Sequence, residues 1–282
     1  MIISLIQCPV CDDKDQNLEN VLIQIESAAA ESQAELVVLP ELWNSPFINS
    51  RIIQHKDEWS ELTEALCQKA RELGIWIIGG TIPRSENGKT WNSCPVINNQ
   101  GEIVAIADKN HLLEVHTAKH SYYESDVFTP GNSFCTFGSP WGKIGVLICF
   151  DNRFPEPARL LAKDCVLLAC PCGFNEHVGK KHWQPLFQTR AMENEIFVAA
   201  VNPAAADYGS YKSYGHSMIV DPDGQIVASL DGKTGNLDYE LDVSKVEQIR
   251  FRSPYWKIRR SDLYSLKETE SQTYPQQEPA TD

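Results

Sequence analysis

Apolar positions in this chain recur with two periods that alternate along its length. Residues 2–6 form a short apolar run, after which Leu18, Val21, Leu22 and Ile25 fall on one face of a helix, and residues 36–39 form a second buried-type run. The order repeats with Leu62, Ala65, Leu66 and Leu73 on one helical face, Gly74 as a stop signal and a strand over 75–78. Strand–helix–strand alternation of this kind predicts a central sheet covered by helices. Between 81 and 108 the spacing shortens around two turn signals, Asn87-Gly88 and Asn99-Gln100-Gly101. These predict two hairpins inside the same sheet, which is therefore mixed. The longer rhythm then resumes: a strand over 143–148, a helix over 155–162 that opens on proline, and a strand over 166–169. A helix over 182–194, a strand over 196–201 and a hairpin (217–220 with 225–230) around Asp221-Pro-Asp-Gly224 complete the pattern.

From residue 267 onward the chain holds almost nothing to bury, so one domain over 1–266 and a polar, disordered tail over 267–282 are expected. No repeat with a period of tens of residues is visible, which excludes solenoids and propellers.

Charge narrows the set of partners. The 282 residues carry 38 acidic and 25 basic side chains, a formal charge of −13, with no long basic run to offset it. That balance repels phosphate backbones and anionic lipid, so neither nucleic acid nor membrane is an expected partner. No stretch approaches the roughly 20 apolar residues of a membrane helix. The apolar N-terminal run reaches Cys8 before it is long enough for a signal sequence, which makes the expected location cytoplasmic. Nine cysteines, an odd number, fit reduced thiols better than a disulfide framework. Cys8 and Cys11 form a C-x-x-C pair, but no thioredoxin-sized domain surrounds them. Cys170 and Cys172 share one face of a strand without a histidine at ligand spacing, so no metal site is expected and both read as structural.

Three segments end an apolar strand on a reactive group. Residues 37–41 deliver the Glu41 carboxylate, 106–109 the Lys109 amine and 146–149 the Cys149 thiol. Singly, each reads as a rim or core residue. Together they are the complete set for acyl transfer through a thioester: a nucleophilic sulfur, a base to move the proton, and a fixed cation for the oxyanion.

Leu39-Pro-Glu-Leu-Trp-Asn-Ser-Pro-Phe47, Asp108-Lys-Asn-His-Leu112 and Gly145-Val-Leu-Ile-Cys-Phe-Asp-Asn-Arg-Phe-Pro-Glu156 resemble the glutamate, lysine and cysteine motifs of the nitrilase superfamily, in that family's order. The likeness extends through Gly80-Thr-Ile-Pro83, Trp91-Asn-Ser-Cys94, His182-Trp183, Arg190-Ala-Met-Glu193 and Ser213-Tyr-Gly-His-Ser217, and ends near Arg260-Ser-Asp-Leu-Tyr264. The resemblance implies a four-layer αββα sandwich with mixed sheets, a homodimer or higher homo-oligomer, and no metal or organic cofactor. It implies Cys149 as nucleophile, Glu41 as general base, Lys109 as oxyanion donor with the Phe150 N–H beside it, and Glu124 as a second pocket carboxylate holding Lys109.

Within the superfamily, Arg153 is similar to the arginine that grips a substrate carboxylate in ω-amidases and deaminated-glutathione amidases, and a guanidinium fork suits both carboxylate oxygens. Asn44-Ser-Pro-Phe47 resembles the ω-amidase form of the glutamate loop. With Arg153, the residues Phe47, Phe150 and Phe174 complete the candidate substrate-binding set, and Trp43, Trp183 and His216 read as structural. The expected substrate is a small carboxylate-bearing amide that releases ammonia. Val178 stands before Gly179 where ω-amidases tend to carry threonine, a departure from that pattern. Carbamoyl-amide hydrolases share the Arg153-Phe-Pro-Glu156-like stretch beside Ile148-Cys-Phe-Asp151 apart from the arginine, so the resemblance keeps N-carbamoyl amide hydrolysis as the alternative, with a catalytically idle scaffold as the alternative outside catalysis.

Overall fold

A computed structural model of the chain describes residues 1–116 and 121–269. The expected tail, 267–282, lies outside the described residues from 270 onward. The first strands are β1 (Ile2–Gln7), β2 (Leu36–Val38), β3 (Trp76–Ile78), β4 (Ile82–Glu86), β5 (Lys89–Ile97) and β6 (Ile103–Asp108). Strands β1, β2 and β3 pair in parallel, and β5 pairs antiparallel with β3, β4 and β6. The two expected hairpins are therefore β4–β5 and β5–β6, and the sheet is mixed.

A short ribbon, β7 (Glu114–His116) and β8 (Ser121–Tyr123), precedes the second sheet. That sheet takes β9 (Cys135–Ser139), β10 (Gly142–Val146), β11 (Cys165–Pro171), β12 (Phe197–Val201), β13 (Met218–Val220) and β14 (Ile226–Ser229) in spatial order. The chain then returns to the first sheet as β15 (Gly235–Glu240), antiparallel to β1.

Alternation of side chains along the strands sets the layers. Ile3, Leu5, Leu36, Val38 and Ile78 face one core, which they share with Ile144, Val146, Leu168, Ala199 and Ile219 of the second sheet. Their neighbours Ile6, Val37 and Ile77 face the other way, onto α1 (Lys14–Glu31) and, past α2 (Asn49–Gln54), α3 (Trp59–Leu73). The second sheet is covered by Ala158, Leu161 and Ala162 of α4 (Pro155–Ala162) and by Trp183, Phe187 and Ala191 of α5 (Glu176–Asn194). The order helix, sheet, sheet, helix is the expected four-layer αββα sandwich. Each fully buried aliphatic side chain contributes about 1.5–3 kcal/mol. No helix among the described residues is long and apolar enough to cross a membrane.

Local chemistry sets the ends of these elements. Asp13 caps α1 by accepting the N–H groups of Asp15 and Gln16, and Gly74 closes α3 at φ +67°. Helix α5 begins six residues before the expected 182, because Asn175 caps it by accepting the Val178 N–H at 2.9 Å. The strand expected over 143–148 leaves the ladder at Val146, which frees 147–149 to turn. Strands β9 and β15, helix α2 and a final helix α6 (Ser244–Arg252) fall where the periodic pattern predicts no element.

The loop that carries Glu41 is anchored at its root by a close backbone contact. Gly80 has φ +59°, and a Cβ there would lie 2.1 Å from the Pro40 carbonyl oxygen. Thr81 holds that same carbonyl with its N–H at 3.1 Å. Gly80→Ala is therefore expected to lower the urea midpoint by a stability loss above about 1 kcal/mol, since both φ and space oppose it. An unchanged midpoint would show that the loop yields freely.

Candidate active site

Four loops bring the reactive groups together where strands of both sheets end. Glu41 lies three residues past β2, its N–H on the Cys172 carbonyl at 3.2 Å. The next residue, Leu42, is held at φ +49° with its N–H on Thr81 Oγ1 at 2.9 Å. Lys109 directly follows β6, and its N–H donates to the Asn92 carbonyl at 2.9 Å. Glu124 opens the 3-10 turn after β8. Cys149 stands at φ +42°, a strained conformation for a residue with a side chain, and opens the 3-10 turn Cys149–Arg153. The first N–H groups of such a turn have no acceptor within it, so the Phe150 N–H is available beside the sulfur.

The centre is a buried cation between two carboxylates. Lys109 Nζ donates to Glu41 Oε1 at 2.8 Å and to Glu124 at 2.9 and 2.7 Å. Asn92 Nδ2 bridges the same two acids at 2.9 and 3.1 Å. Phe47 covers the ammonium, with its ring centroid 5.4 Å from Nζ. Lys109 and Glu41 are 1% exposed and Glu124 0%, so water screens none of this. Burial alone pulls the Lys109 ammonium down, but Glu124, Glu41 and the Cys149 sulfur together push it well above its ordinary value.

The same field decides where the site keeps its mobile proton. Cys149 is pulled down to about 6 by a hydrogen bond from Cys172, then by Lys109, the Gly173 N–H and Glu41, against the opposing effect of burial. Glu41 is pushed well above the carboxylate range by burial and by the Cys149 sulfur, with Lys109 opposing. Both shifts act in one direction, favouring the anion on Cys149 and the proton on Glu41. Glu41 Oε2 is buried and has no hydrogen-bond partner among the described residues, and Glu41 lines a small pocket with Phe47, Gly173, Tyr211 and Ser213. An orphaned buried oxygen at such a place is an acceptor or donor kept for a ligand.

Around this centre the supports are short-range. Asp151 Oδ1 accepts both the His111 N–H at 2.8 Å and the His111 ring at 2.7 Å, while its Oδ2 accepts the Ile148 N–H at 3.2 Å. One carboxylate thus ties the lysine loop to the cysteine turn. Arg190 of α5 donates to the carbonyls of Asn152 and Arg153 at 2.9 and 3.2 Å and fixes that turn from outside.

The structure brings Glu41, Lys109, Glu124 and Cys149 together, with Phe47 over them. Arg153 sits half-buried at the end of the cysteine turn, its Nη1 on His182 Nδ1 at 3.0 Å and its guanidinium 4.9 Å over the Phe174 ring. Among the described residues it pairs with no carboxylate, and a salt bridge to Glu156 is not formed. The Phe150 ring turns away onto Phe154 at 5.6 Å. Trp43 and Trp183 are core, and His216 stacks on Tyr214 at 4.1 Å.

One residue was missed by sequence reasoning: Asn92 carried no signal beyond its place in a motif. Cys172, read as structural beside Cys170, is fully buried one residue past β11. Cys170 keeps to the core and gives its thiol to Asn152 Oδ1 at 3.2 Å. At the C-x-x-C pair burial pushes Cys8 up to about 12, the reverse of a redox thiol.

Fold and site together define a hydrolase of the nitrilase superfamily. A carbon–nitrogen hydrolase family model matches residues 2–251, and the chain belongs to that family. It is 37% identical over 269 residues to the ω-amidase NIT2 of Xenopus tropicalis, covering 94% of this chain and 97% of that protein. With the human ω-amidase NIT2 it shares 35% identity, over 94% of this chain and 96% of that one. The crystal structure of Saccharomyces cerevisiae Nit3, a member of branch 10 of the nitrilase superfamily, superposes with a TM-score of 0.84 at 33% identity, over 92% of this chain and 96% of that one.

The charge arrangement sets a reactivity order. Iodoacetamide is expected to alkylate Cys149 with a pH midpoint near 6, while Cys8 and Cys165, both pushed up to about 12, stay unmodified to pH 9 in folded protein. Peptide mass spectrometry reads both, and a Cys149 midpoint at 8 or above would contradict the arrangement.

Proposed function

We propose that the chain is a cysteine-dependent amidase that hydrolyses the terminal amide of a small carboxylate-bearing substrate and releases ammonia, in the manner of an ω-amidase. The observation that carries the reading is the Lys109 ammonium pinned at 2.8 and 2.7 Å by the buried Glu41 and Glu124, at the end of the site where the Cys149 thiol is shifted toward its anion. The named ω-amidase relatives agree with it.

The steps are set by where charge and proton rest. The Cys149 thiolate attacks the amide carbon, and the developing oxyanion is met by the Lys109 ammonium and the Phe150 N–H. Glu41 gives its proton to the departing nitrogen as the C–N bond breaks, leaving a thioester, ammonia and a Glu41 carboxylate. Water then attacks the thioester while Glu41 takes its proton back. Collapse of the second tetrahedral intermediate expels the thiolate and frees the carboxylic acid. Glu124 never exchanges the proton; it holds Lys109 charged and in place.

Arg153 supplies the substrate class. A half-buried guanidinium with no carboxylate partner of its own among the described residues, four residues past the nucleophile and stacked on the Phe174 ring, supports a role in taking the far carboxylate of a short chain. Val178 offers no hydroxyl ahead of Gly179, and the N-carbamoyl alternative is kept as a test arm.

The catalytic domain is read as 1–266, with 267–282 a polar tail. The nine cysteines are all free, in keeping with a cytoplasmic setting. A homodimer is proposed on the exposed apolar side chains Phe251, Tyr255, Ile258, Leu263 and Tyr264 of the C-terminal segment.

Ammonia release from succinamate and α-ketoglutaramate, abolished in Cys149→Ala, is the expected result, with N-carbamoyl-β-alanine turned over more slowly. Preference for the carbamoyl compound would replace the substrate class, and release that survives the mutation would end the thiol mechanism. Arg153→Met should raise KM for succinamate about 10- to 100-fold, the loss of a charge-assisted contact worth about 1.5–3 kcal/mol, and leave propionamide unaffected. Equal effects on both amides would remove Arg153 from carboxylate recognition. Sedimentation should give a dimer that Phe251→Glu dissociates; a monomeric parent protein refutes the interface.

A further inference from the structure

Only one oxygen of the Glu41 carboxyl is free to move a proton. Oε1 accepts from Lys109 Nζ at 2.8 Å and from Asn92 Nδ2 at 2.9 Å, whereas Oε2 is buried without a hydrogen-bond partner among the described residues. A second buried atom in the same state lies four residues on: Ser45 Oγ, on a residue that is 0% exposed. Both residues line one cavity of about 10 Å³, with Val10, Pro203 and Tyr211 around them. Two orphaned polar atoms at one small cavity are an exception among buried groups and call for a common partner.

The size of the cavity decides what that partner is. About 10 Å³ is room for a single water and for nothing larger. A buried water takes about two to four polar contacts. Glu41 Oε2 and Ser45 Oγ supply two, and Tyr211 a third, since its hydroxyl accepts the Phe47 N–H at 3.0 Å and has its own proton left to give. Gly173 keeps the place open beside the base: a Cβ there would lie 3.0 Å from Oε2 and 3.2 Å from the Phe47 ring. Phe47 in turn covers the Lys109 ammonium, 5.4 Å from its ring centroid, so the cavity adjoins the reacting groups.

We infer that Ser45 is a positioning residue whose hydroxyl holds one water on Glu41 Oε2, and that this water is the one that attacks the thioester. The inference deepens the amidase reading and rests on it. Once ammonia has left, Oε2 is a carboxylate oxygen that accepts one O–H of the water, and Ser45 Oγ accepts the other. The water oxygen forms its bond to the thioester carbon as its proton passes to Oε2; the C–S bond then breaks and its electron pair leaves with the Cys149 sulfur. Ser45 acts only through the water.

The test compares two nucleophiles on one thioester. The full chain and its Ser45→Ala variant are given succinamate and a fixed concentration of hydroxylamine, which attacks thioesters without a base, and the hydroxamate and succinate formed are measured. Ser45→Ala is expected to raise the hydroxamate-to-succinate ratio about tenfold, the loss of one hydrogen bond on the water arm alone. A change that merely loosened the loop would slow both products and leave the ratio where it was, so an unmoved ratio overturns the role of Ser45. Should the alanine variant fail to fold, Ser45→Cys keeps the volume with a weak acceptor and is held to the same direction of change. Ammonia release that survives Cys149→Ala, or a parent protein that forms no hydroxamate, overturns the thioester reading itself, and the role of Ser45 falls with it.

Discussion

A buried ammonium between two buried carboxylates is the constraint on which the rest of the site depends. Taking Lys109, Glu41 and Glu124 out of water costs several kcal/mol for each ion, and only close pairing with further hydrogen bonds offsets it. That requirement dictates position. Glu41 arrives from the loop after β2, Lys109 from the end of β6 and Glu124 from a turn after β8, and all three must converge within hydrogen-bond distance or remain as unpaired charges. Asn92 is explained by the same need, since one amide donating to both carboxylates supplies the bonds that a single lysine lacks. The four layers, by this reasoning, are a scaffold that keeps water away from three charges.

The pair of Cys149 and Glu41 inherits its state from that ion cluster. One proton is shared by two buried acids, and the acid that keeps it is the one whose neighbours least favour an anion. Lys109 favours the anion on both, but burial and an Oε2 with no partner among the described residues work against the Glu41 carboxylate. The balance tilts the proton toward the carboxyl. Strain serves the same arrangement: Leu42 and Cys149 both sit at positive φ in the loops that carry the two acids. Conformations of this kind cost of order 1–3 kcal/mol each and persist where the surroundings over-determine them. Thr81, Asp151 and Arg190 are those surroundings.

Much of the fold was legible because burial imposes a period. The alternation in β1 and β2 and the helical faces of α1 and α3 are direct records of which side meets which layer, and Asn87-Gly88 and Gly74 mark turns that need positive φ. What escaped lacks such a record. Strand β15 pairs along β1 at the sheet edge with only Leu237 buried, so no alternation is written into it. The first turns of α5 are polar on most sides and were given away only by the Asn175 cap. In the site, Glu41, Lys109 and Cys149 were readable since each closes an apolar run. Asn92 was missed because a buried amide has no period.

Arg153 shows how a site can choose charge in a protein that is itself strongly acidic. With a formal charge of −13, the surface as a whole disfavours an approaching carboxylate. A local cation can reverse that only if nothing in the protein neutralises it first. His182 and the Phe174 ring hold the guanidinium without doing so: the imidazole takes one N–H and the ring takes a face, and neither carries a negative charge to cancel the positive one. Burial lowers the affinity of Arg153 for its proton, yet a guanidinium starts so high that it stays charged at any working pH. The Lys109 cation, by contrast, is neutralised by its two acids and has little attraction left for a substrate anion at a distance. Two cations are thus given different surroundings by their partners, one neutralised by two acids and the other left without a carboxylate among the described residues.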